Sequence, residues 1–173
     1  MVLEFIAERD YSLMRRVHRW PAPRWIRVWM IVATRGGDGW LWYALGIVLL
    51  AFGGPARFSA VGASALAAVV GILVFQFLKR RTGRQRPCAI EPHCWATLLP
   101  PDHFSFPSGH TITAFAIALT VSAFYPSLSI GMLFCAFSIA LSRIVLGMHF
   151  LSDVLAGAVI GCALAGGAVW LLR

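Results

Sequence analysis

Long stretches without charged residues alternate along this chain with short stretches in which charged residues are concentrated. Asp, Glu, Lys and Arg are all absent from residues 39–56, 58–78, 103–142 and 154–172. A helix needs about 20 apolar residues to cross a bilayer. The longest run divides at Tyr125-Pro126-Ser127, because proline disfavours helical conformation in the residue before it. The pattern predicts five membrane-spanning helices, near residues 39–54, 58–78, 108–125, 128–146 and 149–172.

The first 38 residues follow a different pattern. Residues 3–20 intersperse aromatic and aliphatic side chains with arginines, which is typical of an amphipathic helix that lies in the membrane interface. Residues 25–34 are apolar but too few to span, which favours an interfacial or re-entrant segment. We therefore divide the chain into an interfacial N-terminal segment, residues 1–38, and a transmembrane domain, residues 39–173.

Composition supports a membrane protein. Hydrophobic residues make up 59% of the chain and charged residues 13%, whereas about 25% of the residues in soluble proteins are charged. The predicted fold class is an all-α, polytopic membrane helix bundle. The net charge of +8 would suggest nucleic acid as a partner of a soluble chain. Here the arginines flank apolar spans, where they contact lipid head groups, so the predicted partner is the bilayer and not nucleic acid.

Three polar residues lie close together between the last two predicted spans: Arg143, His149 and Asp153. On a helix, His149 and Asp153 would share one face. A carboxylate beside a neutral imidazole fixes its tautomer and stabilises positive charge on the ring, and an arginine binds oxyanions. This pattern favours a nucleophile or base, its orienting group and an anion-binding group, although a His–Asp pair at this spacing is more often structural.

The third predicted span opens with Ser108, Gly109 and His110. A serine at a helix start is ordinary capping chemistry. The functional alternative is that exposed N–H groups at Ser108 and Gly109, at the positive end of the helix, bind an anion beside a titratable histidine. A histidine at the mouth of a membrane span is costly unless it is used or paired, which makes His110 a functional candidate.

The second predicted span ends at five cations between Lys79 and Arg86. Such a cluster can be a stop signal that contacts lipid phosphates. Alternating the five spans across the bilayer places this cluster on the same membrane face as residues 108–110 and 143–153. Together the three clusters predict a pocket for a phosphoryl group, since negative charge on several oxygens must be neutralised at once.

These residues form three motifs in order along the chain. The motifs are Lys79 with Arg86-Pro87, Pro107-Ser108-Gly109-His110, and Ser142-Arg143 followed by His149 and Asp153. Together they resemble the signature motifs of the type 2 phosphatidic acid phosphatase superfamily, over roughly residues 36–172.

The resemblance implies a role for each motif residue. His149 would attack phosphorus to form a phosphohistidine, Asp153 would orient it, and His110 would protonate the leaving oxygen and then activate water. The phosphoryl oxygens would be bound by Lys79, Arg86, Ser108, Gly109 and Arg143. No metal or other cofactor is implied, because fixed cations would neutralise the charge.

The function expected from this resemblance is hydrolysis of a lipid phosphate monoester or diphosphate. The candidates are phosphatidic acid, phosphatidylglycerol phosphate and polyprenyl phosphates or diphosphates such as undecaprenyl diphosphate. Two alternatives stay open: a phosphotransferase that passes the phosphoryl group from the same histidine to a lipid acceptor, and a non-catalytic lipid-binding module.

Small residues recur at four-residue spacing in the last span, at Gly157, Gly161 and Ala165. Such a row lets another helix approach closely. We expect it to serve packing within the chain, although the same row could serve dimerisation, so the oligomeric state is left open.

Two cysteines in the loop after Arg86 bear on the compartment. Cys88 and Cys94, with His93 and His103, do not match common zinc-ligand spacings. A Cys88–Cys94 disulfide is favoured if the loop faces an oxidising compartment.

The membrane is expected to be the bacterial inner membrane, and two indications of orientation conflict. The predicted site face carries 13 of the 15 Lys and Arg residues, which favours a cytoplasmic site. Analogy with periplasm-facing lipid phosphatases of the resembled family, and the proposed disulfide, favour the opposite face.

Overall fold

The computed structural model describes residues 2–91 and 103–173, and the side chains from residue 5 onward. Within these ranges the chain is helical, with the helices α1 Val2–His18, α2 Arg24–Gly36, α3 Trp40–Phe52, α4 Arg57–Thr82, α5 Pro87–Ile90, α6 Gly109–Phe124, α7 Ser129–Val145 and α8 Leu151–Leu172. Short 3₁₀ turns precede α4 and α7. An isolated antiparallel bridge joins Gln85 to Phe104.

The five predicted spans correspond to α3, α4, α6, α7 and α8. Three described segments are long and apolar enough to cross a membrane, namely Gly54–Thr82, Pro126–Val145 and Leu151–Leu172. Helices α3 and α6 are shorter but also apolar. The fold is therefore the predicted membrane helix bundle.

Helix α6 lies at the centre of the bundle and packs against α4, α7 and α8. Its buried side chains form the core together with residues of α3, α7 and α8, among them Leu49, Ile139 and Val154. A Cβ added to Gly157 would lie 2.9 Å from the Ser108 carbonyl oxygen, and one added to Gly161 only 2.6 Å from that of Ile112. The predicted close approach of another helix at these glycines is confirmed, and the helix that approaches α8 there is α6.

Backbone hydrogen bonds join the three motif segments at one end of the bundle, which we call the site end. The N–H of Ser108 donates to the Asp153 carbonyl over 3.1 Å, and the N–H of Cys88 donates to the Gly147 carbonyl over 3.1 Å. At the opposite end, the Tyr125 hydroxyl donates to the Gly53 carbonyl over 2.8 Å. The predicted alternation of the spans is confirmed.

The N-terminal helices pack against the site end of the bundle. Helix α2 lies on α7, with Trp29 stacked on Phe134 at 6.0 Å between ring centroids and with Met30 buried. Helix α1 contacts α7 and α8 and buries Asp10, Met14 and His18. The division at residue 38 stays a prediction, but these helices contribute side chains to the transmembrane bundle.

Candidate active site

His149 lies in the loop that joins α7 to α8, two residues before α8 begins. The expectation that it shares a helical face with Asp153 is wrong, because a turn with Gly147 at φ +67° ends the helical path. The N–H groups of Met148 and His149 both donate to the Arg143 carbonyl over 3.0 Å. The loop therefore fixes the backbone of His149 against the end of α7.

The contacts of the imidazole define its tautomer. Nε2 lies 3.1 Å from Nη1 of Arg86, and Nδ1 lies 3.7 Å from Oδ2 of Asp153. A guanidinium only donates hydrogen bonds, so Nε2 accepts and the proton of the neutral ring is on Nδ1, facing the carboxylate. The side chain is buried, and burial, followed by the charges of Arg143 and Arg86, holds the pKa of His149 well below its ordinary range. The ring is therefore neutral at pH 7, with a lone pair on Nε2.

Asp153 is fully buried in the first turn of α8. Its Oδ2 accepts the backbone N–H of Phe150 over 2.8 Å, and its Oδ1 accepts Nη1 of Arg84 over 2.7 Å. The guanidinium and the backbone amide fix the orientation of the carboxylate and favour its charged form. The 3.7 Å to His149 is longer than a hydrogen bond, so in this structure the carboxylate acts on the imidazole through its charge.

Three predicted phosphate-binding cations surround His149. Arg86 and Arg143 are almost completely buried, and Lys79 is 8% exposed. Arg86 donates to the Met148 carbonyl over 2.8 Å, and Nζ of Lys79 lies 5.2 Å from the centre of the Phe75 ring. These side chains are anchored by protein contacts and lie beside the imidazole, which suits them to binding an anion there.

Ser108, Gly109 and His110 are at the start of α6, as predicted. The expectation of an exposed N–H at Ser108 is wrong, since that group donates to the Asp153 carbonyl. The Ser108 hydroxyl is buried and accepts a hydrogen bond from Thr111 over 2.8 Å. A Cβ on Gly109 would lie 3.0 Å from the Phe75 ring, so only glycine fits this position without movement of that ring.

A cavity of about 740 Å³ opens beside these residues. Five of the predicted site residues line it together with Gly109: Lys79, Arg86, His110, Arg143 and His149. Asp153 and Ser108 are buried behind them. The cavity extends away from the cations between α3, α4 and α6, where apolar residues such as Leu45, Val61 and Ile72 form its wall. A charged pocket is thus continuous with an apolar groove.

Three residues that the sequence did not predict as site residues contact the predicted ones, and a fourth, Asp10, is connected to them through Arg84. Thr34 of α2 accepts a hydrogen bond from Arg143 over 2.5 Å, and Asp38 lies 2.9 Å from Nε2 of His110. Arg84 binds Asp153 and also Oδ2 of Asp10 over 2.7 Å. A usable signal was the scarcity of acidic residues, only 7 in the chain, which makes every carboxylate in an apolar setting worth examining.

Metal binding is not indicated within residues 2–91 and 103–173, where no three His, Cys, Asp or Glu side chains are grouped closely enough to hold an ion. His93 and Cys94 lie outside the described residues, and the predicted Cys88–Cys94 bridge therefore stays a prediction.

Comparison with known proteins establishes the family. Residues 59–173 match the model of the PAP2 superfamily. The chain belongs to the PAP2 superfamily. The resemblance inferred from the three motifs is confirmed, and Asp10, Thr34 and Asp38 of this PAP2 protein lie outside the matched residues.

Two curated PAP2-like relatives match about half of the chain. Lipid A 1-phosphatase of Rhizobium etli is 33% identical over 93 residues, which are 51% of this chain and 40% of that protein. The bacitracin transport permease protein BcrC of Bacillus licheniformis is 33% identical over 98 residues, 54% of this chain and 48% of that protein. The chain thus spans less than half the length of these relatives.

Two crystal structures share the PAP2 fold over most of their length. Aquifex aeolicus LpxE superposes with a TM-score of 0.78 at 28% identity, covering 92% of this chain and 94% of that one. A transmembrane PAP2-type phosphatidylglycerolphosphate phosphatase from Bacillus subtilis gives 0.73 at 23% identity, covering 96% and 85%. The second likeness supports the fold alone.

Proposed function

We propose that this PAP2 protein is a membrane lipid phosphatase that hydrolyses a lipid phosphate monoester or diphosphate through a phosphohistidine at His149. One observation carries the proposal. Two histidines and three cations line a pocket that continues into an apolar groove among the membrane-spanning helices. The pocket suits a phosphoryl group and the groove suits an apolar chain, so the whole cavity matches an amphiphile with a phosphate head.

The apolar groove favours a lipid substrate over a water-soluble phosphate ester. Its walls come from α3, α4 and α6, and Trp42, Leu45, Ile72 and Phe75 are among the lining side chains. Burying apolar surface is favourable by about 25 cal/mol per Å². A soluble ester would leave this surface without a partner, whereas a lipid chain would cover it.

The first chemical step would transfer the phosphoryl group to His149. The lone pair of Nε2 attacks phosphorus as the bond from phosphorus to the lipid oxygen breaks, and His110 gives that oxygen a proton. The ring then carries positive charge, which the nearby carboxylate of Asp153 stabilises. The guanidinium that donates to Nε2 in this structure, that of Arg86, would donate to a phosphoryl oxygen instead.

Charge neutralisation would come from Lys79, Arg86 and Arg143. The transferring phosphoryl group spreads its negative charge over three oxygens, and catalysis of such transfers is largely positioning and electrostatic stabilisation. Cations that are buried and already anchored lose little freedom on binding and act in a medium of low dielectric constant. The hydroxyl of Ser108 and the N–H of Gly109 are the proposed neutral donors.

The second step would return the enzyme to its starting state. His110, now neutral, accepts a proton from water as that water attacks phosphorus, and the bond to Nε2 of His149 breaks. Inorganic phosphate leaves, and both histidines regain their initial protonation. If a lipid hydroxyl took the place of water and accepted the phosphoryl group, the same intermediate would make the protein a phosphotransferase.

The class of substrate is supported by the relatives. Among them is a lipid A 1-phosphatase, whose name gives a phosphorylated lipid as its substrate. We propose substrates from the same chemical class for this chain, namely phosphatidic acid, phosphatidylglycerol phosphate, lipid A phosphate and polyprenyl diphosphate. The bacterial sources of these relatives favour the inner membrane as its location.

The test is phosphate release by the purified full chain in detergent across that panel of lipids. His149→Ala should lower turnover by a factor of about 10⁴ or more, since loss of a nucleophile removes the covalent route. His103→Ala is the matched control, because His103 is exposed and does not line the cavity. With labelled substrate, acid-labile and base-stable label should remain on the wild type and be absent from His149→Ala.

Three results would decide against the proposal. Activity that survives His149→Ala would rule out the covalent scheme. Transfer of label to a lipid acceptor without free phosphate would indicate a phosphotransferase. Absence of turnover on every lipid, together with insensitivity to vanadate, would indicate a non-catalytic module.

We also propose that the site end faces the cytoplasm. Helix α1 packs on α8 at the site end through Asp10, so the arginines of the N-terminal segment belong to that end. The bundle then carries 13 of its 15 basic residues at one end, and basic residues favour the cytoplasmic side of a bacterial inner membrane.

A further inference from the structure

Asp38 lies in the tight turn between α2 and α3, directly at the mouth of the cavity. Its Oδ1 is 2.9 Å from Nε2 of His110, and its Oδ2 is 3.6 Å from the guanidinium of Arg35. Gly39, the next residue, has φ +120°, a conformation that favours glycine. The turn therefore directs the carboxylate towards α6, 72 residues further along the chain.

The backbone of the same turn packs against the ring of His110. A Cβ added to Gly37 would lie 3.0 Å from Cδ2 of His110 and 3.0 Å from Cγ2 of Ile139. The imidazole is thus confined on its Cδ2–Nε2 edge by the turn, through a contact with Gly37 and a hydrogen bond with Asp38. Both contacts fix the ring orientation.

Electrostatics add a second reason for a carboxylate here. Lys79 from α4 and Arg143 from α7 line the same cavity as His110, and nearby cations disfavour a positive charge on an imidazole. The nearby His149 adds no compensating negative charge. Among the residues that line the cavity, Asp38 is the one acidic side chain, and it lies within hydrogen-bond distance of this ring. An acid–base histidine among phosphate-binding cations needs such a counter-charge in order to carry a proton.

We propose that Asp38 is the positioning residue of the acid–base histidine. It accepts the Nε2 proton of His110, which leaves Nδ1 as the atom that gives a proton to the departing lipid oxygen and takes one from the attacking water. Asp38 keeps its charge throughout, and Nε2 keeps its proton. This inference rests on the proposed phosphatase function, and it adds a second Asp–His pair whose carboxylate comes from outside the three motifs.

The test is the dependence of the first turnover on the leaving group. Asp38→Asn should lower the rate of alcohol release from a long-chain alkyl phosphate by about 100-fold, the lower end of what general acid catalysis contributes. Release of the phenolate from p-nitrophenyl phosphate should change little, because a good leaving group departs without a proton. Inhibition by vanadate should also stay unchanged, since the phosphate-binding cations are intact.

Three variants make the result specific. Asp38→Glu should recover part of the alkyl phosphate rate, and Arg35→Gln, which alters the exposed partner of the same carboxylate, should behave like the wild type. Asp38→Asn in a His110→Ala background should cause no further loss, because the carboxylate acts through that ring.

Each outcome bears on one proposal or on both. Equal losses with both substrates, weakened vanadate inhibition, or an unchanged alkyl phosphate rate would overturn the role of Asp38 while the phosphatase function stands. A wild-type protein that releases phosphate from no substrate, or one whose turnover survives His149→Ala, would overturn the proposed function and this inference with it.

Discussion

Two histidines of the site each face a carboxylate, but the two pairs differ in their construction. His149 is buried, and 3.7 Å separates its Nδ1 from Asp153, whose oxygens are bound by Arg84 and a backbone amide. His110 is partly exposed and lies within hydrogen-bond distance of Asp38. Burial keeps the imidazole of His149 neutral, as the proposed attack on phosphorus requires. For His110 we propose that the carboxylate of Asp38 supports a ring that gains and loses a proton.

The burial of His149 predicts a pH dependence of stability. Its pKa is lowered in the folded protein, so the unfolded chain binds the proton more readily, and stability is lost as the pH falls below about 6.5. Between pH 7.5 and 5.5 the loss of stability amounts to about 1.4 kcal/mol, or about 4 °C in Tm. His149→Asn should lose less Tm over this interval than the wild type in detergent. An equal loss would contradict the prediction, and His103→Asn is the exposed control.

At the scale of the helices, α1 and α2 are parts of the site and not only membrane contacts. Asp10 of α1 accepts hydrogen bonds from the backbone N–H and the hydroxyl of Ser152, at the start of α8, and binds Arg84. The guanidinium of Arg84 also lies 4.2 Å from the centre of the Phe150 ring. One arginine therefore joins α1 to the carboxylate that faces the proposed nucleophile.

This connection predicts coupled effects on turnover. Arg84→Gln should lower kcat by about 10-fold, equivalent to about 1.4 kcal/mol, because Asp153 loses a charged partner that fixes its orientation. Asp10→Asn should lower kcat less, and the double variant should lose less than the two effects combined, since both act through one guanidinium. Arg16→Gln is the control, because Arg16 is exposed on α1, the helix that carries Asp10. Full additivity would show that α1 acts independently of Asp153.

The groove beside α4 predicts a selective loss for lipids. Ala65 lines it, so Ala65→Trp should displace two or three methylenes of a bound chain, a cost of about 2 kcal/mol or about 30-fold in kcat/KM. Turnover of p-nitrophenyl phosphate should be unaffected. Leu66→Trp is the matched control, because Leu66 is exposed on the same helix but does not line the groove. Equal losses with both substrates would place the lipid chain elsewhere.

At the scale of the whole molecule, the distribution of charge predicts the orientation. In a chain whose four cysteines are replaced by serine, Ser127→Cys would place one thiol at the end opposite the site, and Ser12→Cys would place one on α1. Both positions are exposed, and neither change alters the charge. An impermeant maleimide should label Ser127→Cys in spheroplasts and Ser12→Cys only after permeabilisation. The reverse pattern would place the site on the periplasmic side.

The sequence by itself determined the helix bundle and the motif residues. Runs without charge predict spans because a charge in the hydrocarbon core is costly, and their alternation brings Lys79, His110 and His149 to one end. The motifs were readable because their residues occur at fixed intervals within short segments, where local structure sets their relative positions.

Only the tertiary structure decided which other residues complete the site. Asp38 pairs with a residue 72 positions away, and Thr34 bonds one 109 positions away. No spacing rule relates such residues, because their contact depends on how α2 packs on α7 and how α1 packs on α8. The sequence likewise did not determine the distance between His149 and Asp153, because the conformation of the loop, and not helical periodicity, sets it. Site residues that belong to one short motif can be recognised in the sequence. The residues that contact them from distant segments are brought there by the packing of the helices, so only the structure shows them.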